Sequence, residues 1–95
     1  MLLSEIPIDV VKNYANIFFS DDDYLIENFI MPSAKGFIES YTKRTEEELE
    51  NYPEIGMAYL ILCTYLYDNR SLELSDSQIN FVLKQTLGMH SNFTF

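Results

Sequence analysis

The segment between Pro53 and Asp68 constrains the fold more than any other part of the chain. From Ile55 to Tyr67 it is apolar or aromatic on nearly every side of a helix, and Pro53 with Glu54 suits a first helical turn. A helix that is apolar all round needs neighbours on all sides, so the pattern predicts a helix in the middle of a bundle. The run is interrupted by tyrosines and is too short for a membrane span.

The preceding segment predicts a long second helix of about twenty residues from Tyr24 onward. Its apolar residues recur at steps of mostly three and four, which places a continuous stripe on one side: Leu25, Ile26, Phe29, Ile30, Ala34, Phe37, Ile38 and Tyr41. Pro32 removes a ladder hydrogen bond and clashes with the carbonyl of Asn28, so we expect a kink between Phe29 and Pro32. Because the stripe continues past the proline, one bent helix is favoured over two independent helices.

Shorter helices precede and follow these two. A first helix is predicted from about Pro7 to Asn16, with Ser4 able to cap it. The run Asp21-Asp22-Asp23 follows, and one of these aspartates can cap the second helix while the others favour the positive end of its dipole.

A last helix is predicted after Ser75, because Ser75 and Gln78 form a capping-box pattern and Gly88 is placed to end the helix. The chain therefore predicts an all-α protein, a compact bundle of about four helices in which the long kinked second helix packs against the central apolar third helix. A single helical domain covers residues 1–88, and residues 89–95 form a C-terminal tail.

The charge of the chain limits its partners. With 15 Asp and Glu against 6 Lys and Arg, the formal net charge is −9, and such a chain is repelled by nucleic acids and by anionic lipid. Cys63 is the single cysteine, so no disulfide can form within the chain. The N-terminal residues show no export signal, and we expect a protein of the cytoplasm that is not secreted.

Side chains that usually carry chemistry are sparse. His90 is the single histidine and lies in the tail, and Cys63 lies in the most apolar segment with no cation near it in sequence. The three glycines are isolated, so there is no phosphate-binding loop. The run Asp21-Asp22-Asp23 lacks the alternate spacing of a calcium loop, which favours helix capping over metal binding. We expect no enzyme, no metal and no cofactor.

The most acidic stretch links the second and third helices. Glu46, Glu47, Glu48 and Glu50 are expected to form an acidic surface segment. They could bind a divalent cation or a basic partner, or they could form a solvated loop without a partner. Residues 21–54 carry ten acidic and three basic side chains, so −7 of the −9 lies there.

Seven tyrosines and seven phenylalanines are a large aromatic content for 95 residues. They fit either a tyrosine-rich core with hydroxyls reaching solvent or surplus rings that serve self-association, and the sequence leaves both open. The tail ends with Phe93 and Phe95 in alternation, a pattern suited to an extended strand that adds to an edge or places its rings in a neighbour's pockets. A frayed terminus is the alternative.

Two helix ends carry a resemblance to a known family. The second helix closes with Ile38-Glu39-Ser40-Tyr41-Thr42-Lys43-Arg44-Thr45, and the third with Leu62-Cys63-Thr64-Tyr65-Leu66-Tyr67-Asp68-Asn69-Arg70. Together with the short opening helix, the acidic run and the short final helix, this arrangement resembles the small all-helical head-tail connector proteins, or DNA packaging adaptors, of tailed bacteriophages and prophages. The resemblance covers nearly the whole chain.

The resemblance implies a structural subunit that forms a ring of about a dozen copies below the portal protein and contacts a head-closure or tail protein. DNA would pass through the ring without specific binding, and the protein would belong to the virion, assembled in the cytoplasm of the bacterial host. The four glutamates are then candidates for a channel or surface acidic loop, and the two tail phenylalanines for assembly contacts. The alternative function is an acidic interaction or inhibitor module that binds a basic nucleic-acid-binding protein through a duplex-like array of carboxylates.

Overall fold

The computed structural model describes residues 2–70 and 75–88. These residues form helices and the turns between them, with no strand, so the predicted all-α class is confirmed. The elements are a 3₁₀ turn Leu3–Glu5, α1 Ile8–Ala15, α2 Asp23–Leu25, a π turn Ile26–Ile30, α3 Met31–Thr42, α4 Glu46–Leu49, α5 Pro53–Asp68 and α6 Asp76–Gly88. The predicted tail, residues 89–95, lies outside the described residues.

Helix α5 provides one broad face of the core. It contacts α1, the π turn, α3 and α6. Its buried residues recur at helical spacing: Ile55, Ala58, Tyr59, Leu62, Cys63 and Tyr67. The residues on its other side are half-buried: Leu60, Ile61, Tyr65 and Leu66. The surrounding elements contribute mostly aliphatic side chains to the same core, and burial of this apolar surface is the main favourable term in folding.

Pro32 is accommodated within the long helix by the π turn. The chain stays helical from Asp23 to Thr42, and Pro32 lies in the first turn of α3. In a regular α-helix the proline ring clashes with the carbonyl four residues before it, and the wider π turn provides the additional room. The disturbance predicted between Phe29 and Pro32 is therefore a π turn that begins at Ile26.

The apolar stripe of the long helix consists of two rows. The buried row is Ile26, Ile30, Ala34 and Ile38. In the neighbouring row Phe29 is 56% exposed and Phe37 is half-buried. Only one row of the predicted stripe is thus fully buried, because two adjacent rows of large side chains are wider than the face that contacts α5.

The N-terminal segment contacts α4. The prediction that Ser4 caps the first helix is wrong, because Ser4 lies inside the 3₁₀ turn. Its N–H and its hydroxyl donate to the Glu46 carboxylate at 2.9 and 3.1 Å. Helix α1 begins after Pro7, close to the predicted position, and Val11 is its buried residue.

The acidic run holds the start of the long helix in place. Asp22 occupies the N-cap position, but its side chain makes no capping bond and accepts the hydroxyl hydrogen of Tyr67 at the end of α5. Asp23 pairs with Lys12 of α1, with 2.7 Å between the charged atoms. The predicted side-chain cap is therefore wrong, since these two carboxylates join the long helix to α5 and α1.

Helix α6 begins as its capping box predicts. The Gln78 N–H donates to Ser75 Oγ at 3.2 Å, and the Ser75 N–H donates to Gln78 Oε1 at 2.7 Å. Ile79 and Leu83 are fully buried, and the helix contacts both α3 and α5. Gly88, predicted to end this helix, is its last residue and the last one described.

Candidate interaction surfaces

The phenylalanines lie mainly outside the core. Of the five that the structure describes, Phe18, Phe19, Phe29 and Phe81 are more than half exposed, at 79%, 51%, 56% and 61%. The buried aromatic rings are instead tyrosines, Tyr59 and Tyr67. Tyrosine therefore contributes to the core, whereas most of the described phenylalanine side chains lie on the surface.

Phe29 and Phe37 line a groove beside the long helix, which consists of two neighbouring pockets. One half lies between that helix and the end of α5, where Leu25, Phe29, Leu66 and Arg70 form its walls. The other half lies between α3 and α6, with Gly36, Ser40, Lys43 and Asn80. Ser33 and Phe37 line both halves. We call these residues the aromatic groove.

The aromatic groove differs in charge from the rest of the protein. Among the described residues that line it, none is acidic, and the two charged ones are the cations Lys43 and Arg70. The Arg70 guanidinium lies 4.2 Å from the centre of the Tyr67 ring and donates to the Tyr67 carbonyl at 2.7 Å. Lys43 ends α3 in the left-handed conformation, with φ 57°. One cation is thus placed in each half of the groove.

The segment predicted as an acidic loop is a one-turn helix, α4. Thr45 caps it, because the Glu48 N–H donates to Thr45 Oγ1 at 3.4 Å and the Thr45 N–H donates to Glu48 Oε1 at 2.9 Å. The bond from the Thr45 N–H holds the pKa of Glu48 below its ordinary value. Leu49 is buried and fixes α4 to the core. Glu47, Glu48 and Glu50 are exposed, and we call these three residues the acidic edge.

Glu46 has a different environment from the acidic edge. Besides its two bonds from Ser4, its carboxylate lies 3.7 Å from Lys35 Nζ. Its own N–H donates to Glu39 Oε2 at 3.1 Å. The hydrogen bond from the Ser4 N–H is the main reason that the pKa of Glu46 lies below its ordinary value. Glu46, one of the four candidate glutamates, therefore connects the N-terminal segment, α3 and α4 within the fold.

Reactive groups form no cluster in the described part of the chain. Cys63 is 1% exposed, and burial raises the pKa of its thiol to about 12, so the thiol is protonated at neutral pH. Burial also raises the pKa of its neighbour Tyr59. Within residues 2–70 and 75–88, no three His, Cys, Asp or Glu side chains are grouped to hold a metal ion. The helices of that same part are too short or too polar to cross a membrane.

The helix ends that carry the family resemblance make structural contacts. At the end of the long helix, Ile38 is fully buried and its carbonyl accepts the Thr42 hydroxyl hydrogen at 2.8 Å. At the end of α5, Tyr67 bonds to Asp22, and the Asn69 side chain donates to the α5 backbone at 2.9 Å. These contacts fix the ends of two helices.

The predicted site residues do not come together in one place. The four glutamates lie on or next to α4, while Phe93, Phe95 and His90 lie outside the described residues. The aromatic groove was not predicted, and the one signal for it in the sequence is the second apolar row of the long helix. Comparisons with known protein families, with curated proteins and with solved structures find no match to this chain.

Proposed function

We propose that the protein is a structural subunit that assembles with copies of itself into a ring, as the head-tail connectors of tailed phages do. In that setting the ring lies below the portal protein, contacts a head-closure or tail protein, and lets DNA pass without specific binding. The observation that carries the proposal is the exposure of four of the five described phenylalanines. Aromatic side chains are enriched in protein interfaces because they bury large areas at little entropic cost.

Ring assembly requires two unlike surfaces on each subunit, because a head-to-tail contact joins one surface to a different surface of the next copy. The chain offers two such surfaces. The aromatic groove borders α6 and the end of α5. The α4 segment borders the N-terminal 3₁₀ turn, where Leu3, Glu46 and Glu50 line a common pocket. The subunit architecture we propose is the long second helix packed on the central third helix.

The charge of the chain agrees with a channel that conducts DNA. A wall that bound phosphates would slow the passage of a duplex, whereas carboxylates repel it. The net charge of −9 supports such a wall.

An acidic inhibitor of a nucleic-acid-binding protein has less support. Mimicry of a duplex needs carboxylates that are available in a regular array. The carboxylates of Asp22, Asp23 and Glu46 are instead engaged within the fold, with Tyr67, Lys12 and Ser4.

Light scattering of the purified chain across a concentration series tests the proposal. We expect small species when the protein is dilute and a large oligomer when it is concentrated or mixed with a portal protein. A parallel titration with duplex DNA is expected to show no binding. A strict monomer at every concentration, with the partner present, would contradict the proposed function.

A further inference from the structure

We infer that the aromatic groove of one copy receives the acidic edge of the next copy. The inference rests on the proposed function and names the two surfaces that meet in the assembly. The groove contributes exposed aromatic surface and two cations, and the acidic edge contributes three exposed carboxylates on a helical turn fixed by Leu49.

Positive charge is scarce in this protein and unevenly distributed. The chain has only six Lys and Arg. Lys12 already faces Asp23 at 2.7 Å, and Lys35 faces Glu46 at 3.7 Å. Lys43 and Arg70 line the aromatic groove, where none of the described lining residues is acidic. A carboxylate brought to this groove therefore meets cations without meeting an acidic neighbour in its walls.

The acidic edge is the complementary surface. Glu47, Glu48 and Glu50 lie within one helical turn and its end, so their like charges repel one another. Arg44 of the same copy acts on Glu48, and cations from a second copy add to this neutralisation. Contact with the groove also covers Phe29 and Phe37. Water is removed there, so the attraction between the glutamates of the acidic edge and the two groove cations becomes stronger.

The two surfaces are unlike, so they meet head-to-tail when the groove and the acidic edge of one copy contact two different neighbours. Each copy then offers a groove to one neighbour and an acidic edge to the other. Repetition of such a contact produces a ring when the rotation closes, and a filament when it does not. A two-fold dimer pairs the groove and the acidic edge reciprocally between the same two copies and stops there, so the size of the assembly distinguishes the two arrangements.

Charge reversal tests the pairing. Lys43→Glu and Glu47→Lys are each expected to weaken self-association by about tenfold or more, because like charges then face each other across the contact. An equimolar mixture of the two variants is expected to recover wild-type association, since the carboxylate introduced into the groove of one variant can pair with the ammonium introduced into the acidic edge of the other. Sedimentation equilibrium at low salt measures both effects.

Matched controls separate this contact from a general effect of net charge. Lys84→Glu and Asp9→Lys change the net charge by the same amounts at exposed positions outside the two surfaces, and both should associate like the wild type. Phe29→Ser, in the groove, should weaken association, whereas Phe81→Ser, exposed but not lining the groove, should not. Circular dichroism confirms that each variant is folded.

The outcomes distinguish the inference from the proposed function. If the wild type assembles and the charge-reversal variants assemble equally well, the inference is wrong and ring assembly stands. If the wild type stays monomeric at every concentration, with a portal protein present as well, both are wrong. If the wild type binds a labelled DNA duplex and Lys43→Glu abolishes that binding, the groove is a phosphate site and the inference is overturned.

Discussion

Leu60 and Leu62 lie two residues apart on α5, yet the structure predicts different costs for shortening them. Leu62 is 0% exposed, whereas Leu60 is half-buried. Leu→Ala removes three carbon groups, each worth roughly 0.8 kcal/mol when buried, and at Leu62 it also leaves a cavity. We expect Leu62→Ala to lower the free energy of unfolding by about 3–4 kcal/mol, and Leu60→Ala to lower it by about 1 kcal/mol.

Urea unfolding followed by circular dichroism measures this difference, provided the dependence of stability on urea is the same for all variants. Thermal melts should separate the variants as well, because 1 kcal/mol corresponds to about 4–8 °C in Tm for a domain of this size. Leu62→Asp buries an unpaired charge and is expected to prevent folding. An equal or larger cost at Leu60, or a stable Leu62→Asp variant, would refute the burial assigned to α5.

Four further predictions concern two hydrogen-bonded side chains, one helix glycine and the C-terminal tail. Tyr67→Phe removes a hydrogen bond to a charged group and should lower the free energy of unfolding by about 1–2 kcal/mol, with Tyr14→Phe as the exposed control. The bond to Asp22 raises the pKa of Tyr67. The stability difference between wild type and Tyr67→Phe should therefore be full below pH 10 and decrease as the pH rises above 10. Glu46→Gln should lower the free energy of unfolding by roughly 1 kcal/mol, and Glu47→Gln should leave it unchanged. Because the pKa of Glu46 is lowered, the stability difference between wild type and Glu46→Gln should be present at neutral pH and disappear as the pH falls below 4.5. Gly56→Ala should stabilise α5 by about 0.5–1 kcal/mol in a urea titration, because a Cβ there meets nothing within 4 Å. Deleting residues 91–95 should weaken assembly in light scattering without lowering Tm, and unchanged association would remove the tail from the assembly contacts.

Helical spacing and capping patterns were sufficient to predict the fold class and most helix starts. The last helix begins at its Ser75–Gln78 capping box, and α5 begins at Pro53, as expected. Pro32 was harder to interpret, because a proline marks a disturbance without specifying its form. A kink, a break and a π turn all relieve the same clash, and the structure has the π turn, with Ile26 and Ile30 buried.

The candidate surfaces were less predictable because they depend on contacts between distant parts of the chain. The four glutamates are equivalent in sequence, and Glu46 is distinguished by Ser4, 42 residues away. Asp22 has the pattern of a helix cap, but its side chain bonds to Tyr67, 45 residues away. Phe29 lies beside Ile30 in one apolar stripe, and the position of α5 determines which of the two is buried.

We propose that this chain assembles through two unlike surfaces into a closed ring. Electron microscopy of the concentrated protein tests the claim most directly, because it shows both the symmetry of the particle and its centre. We predict rings with one subunit number and an open centre wide enough for a DNA duplex. Single subunits at every concentration, or compact two-fold dimers without a channel, would contradict the claim.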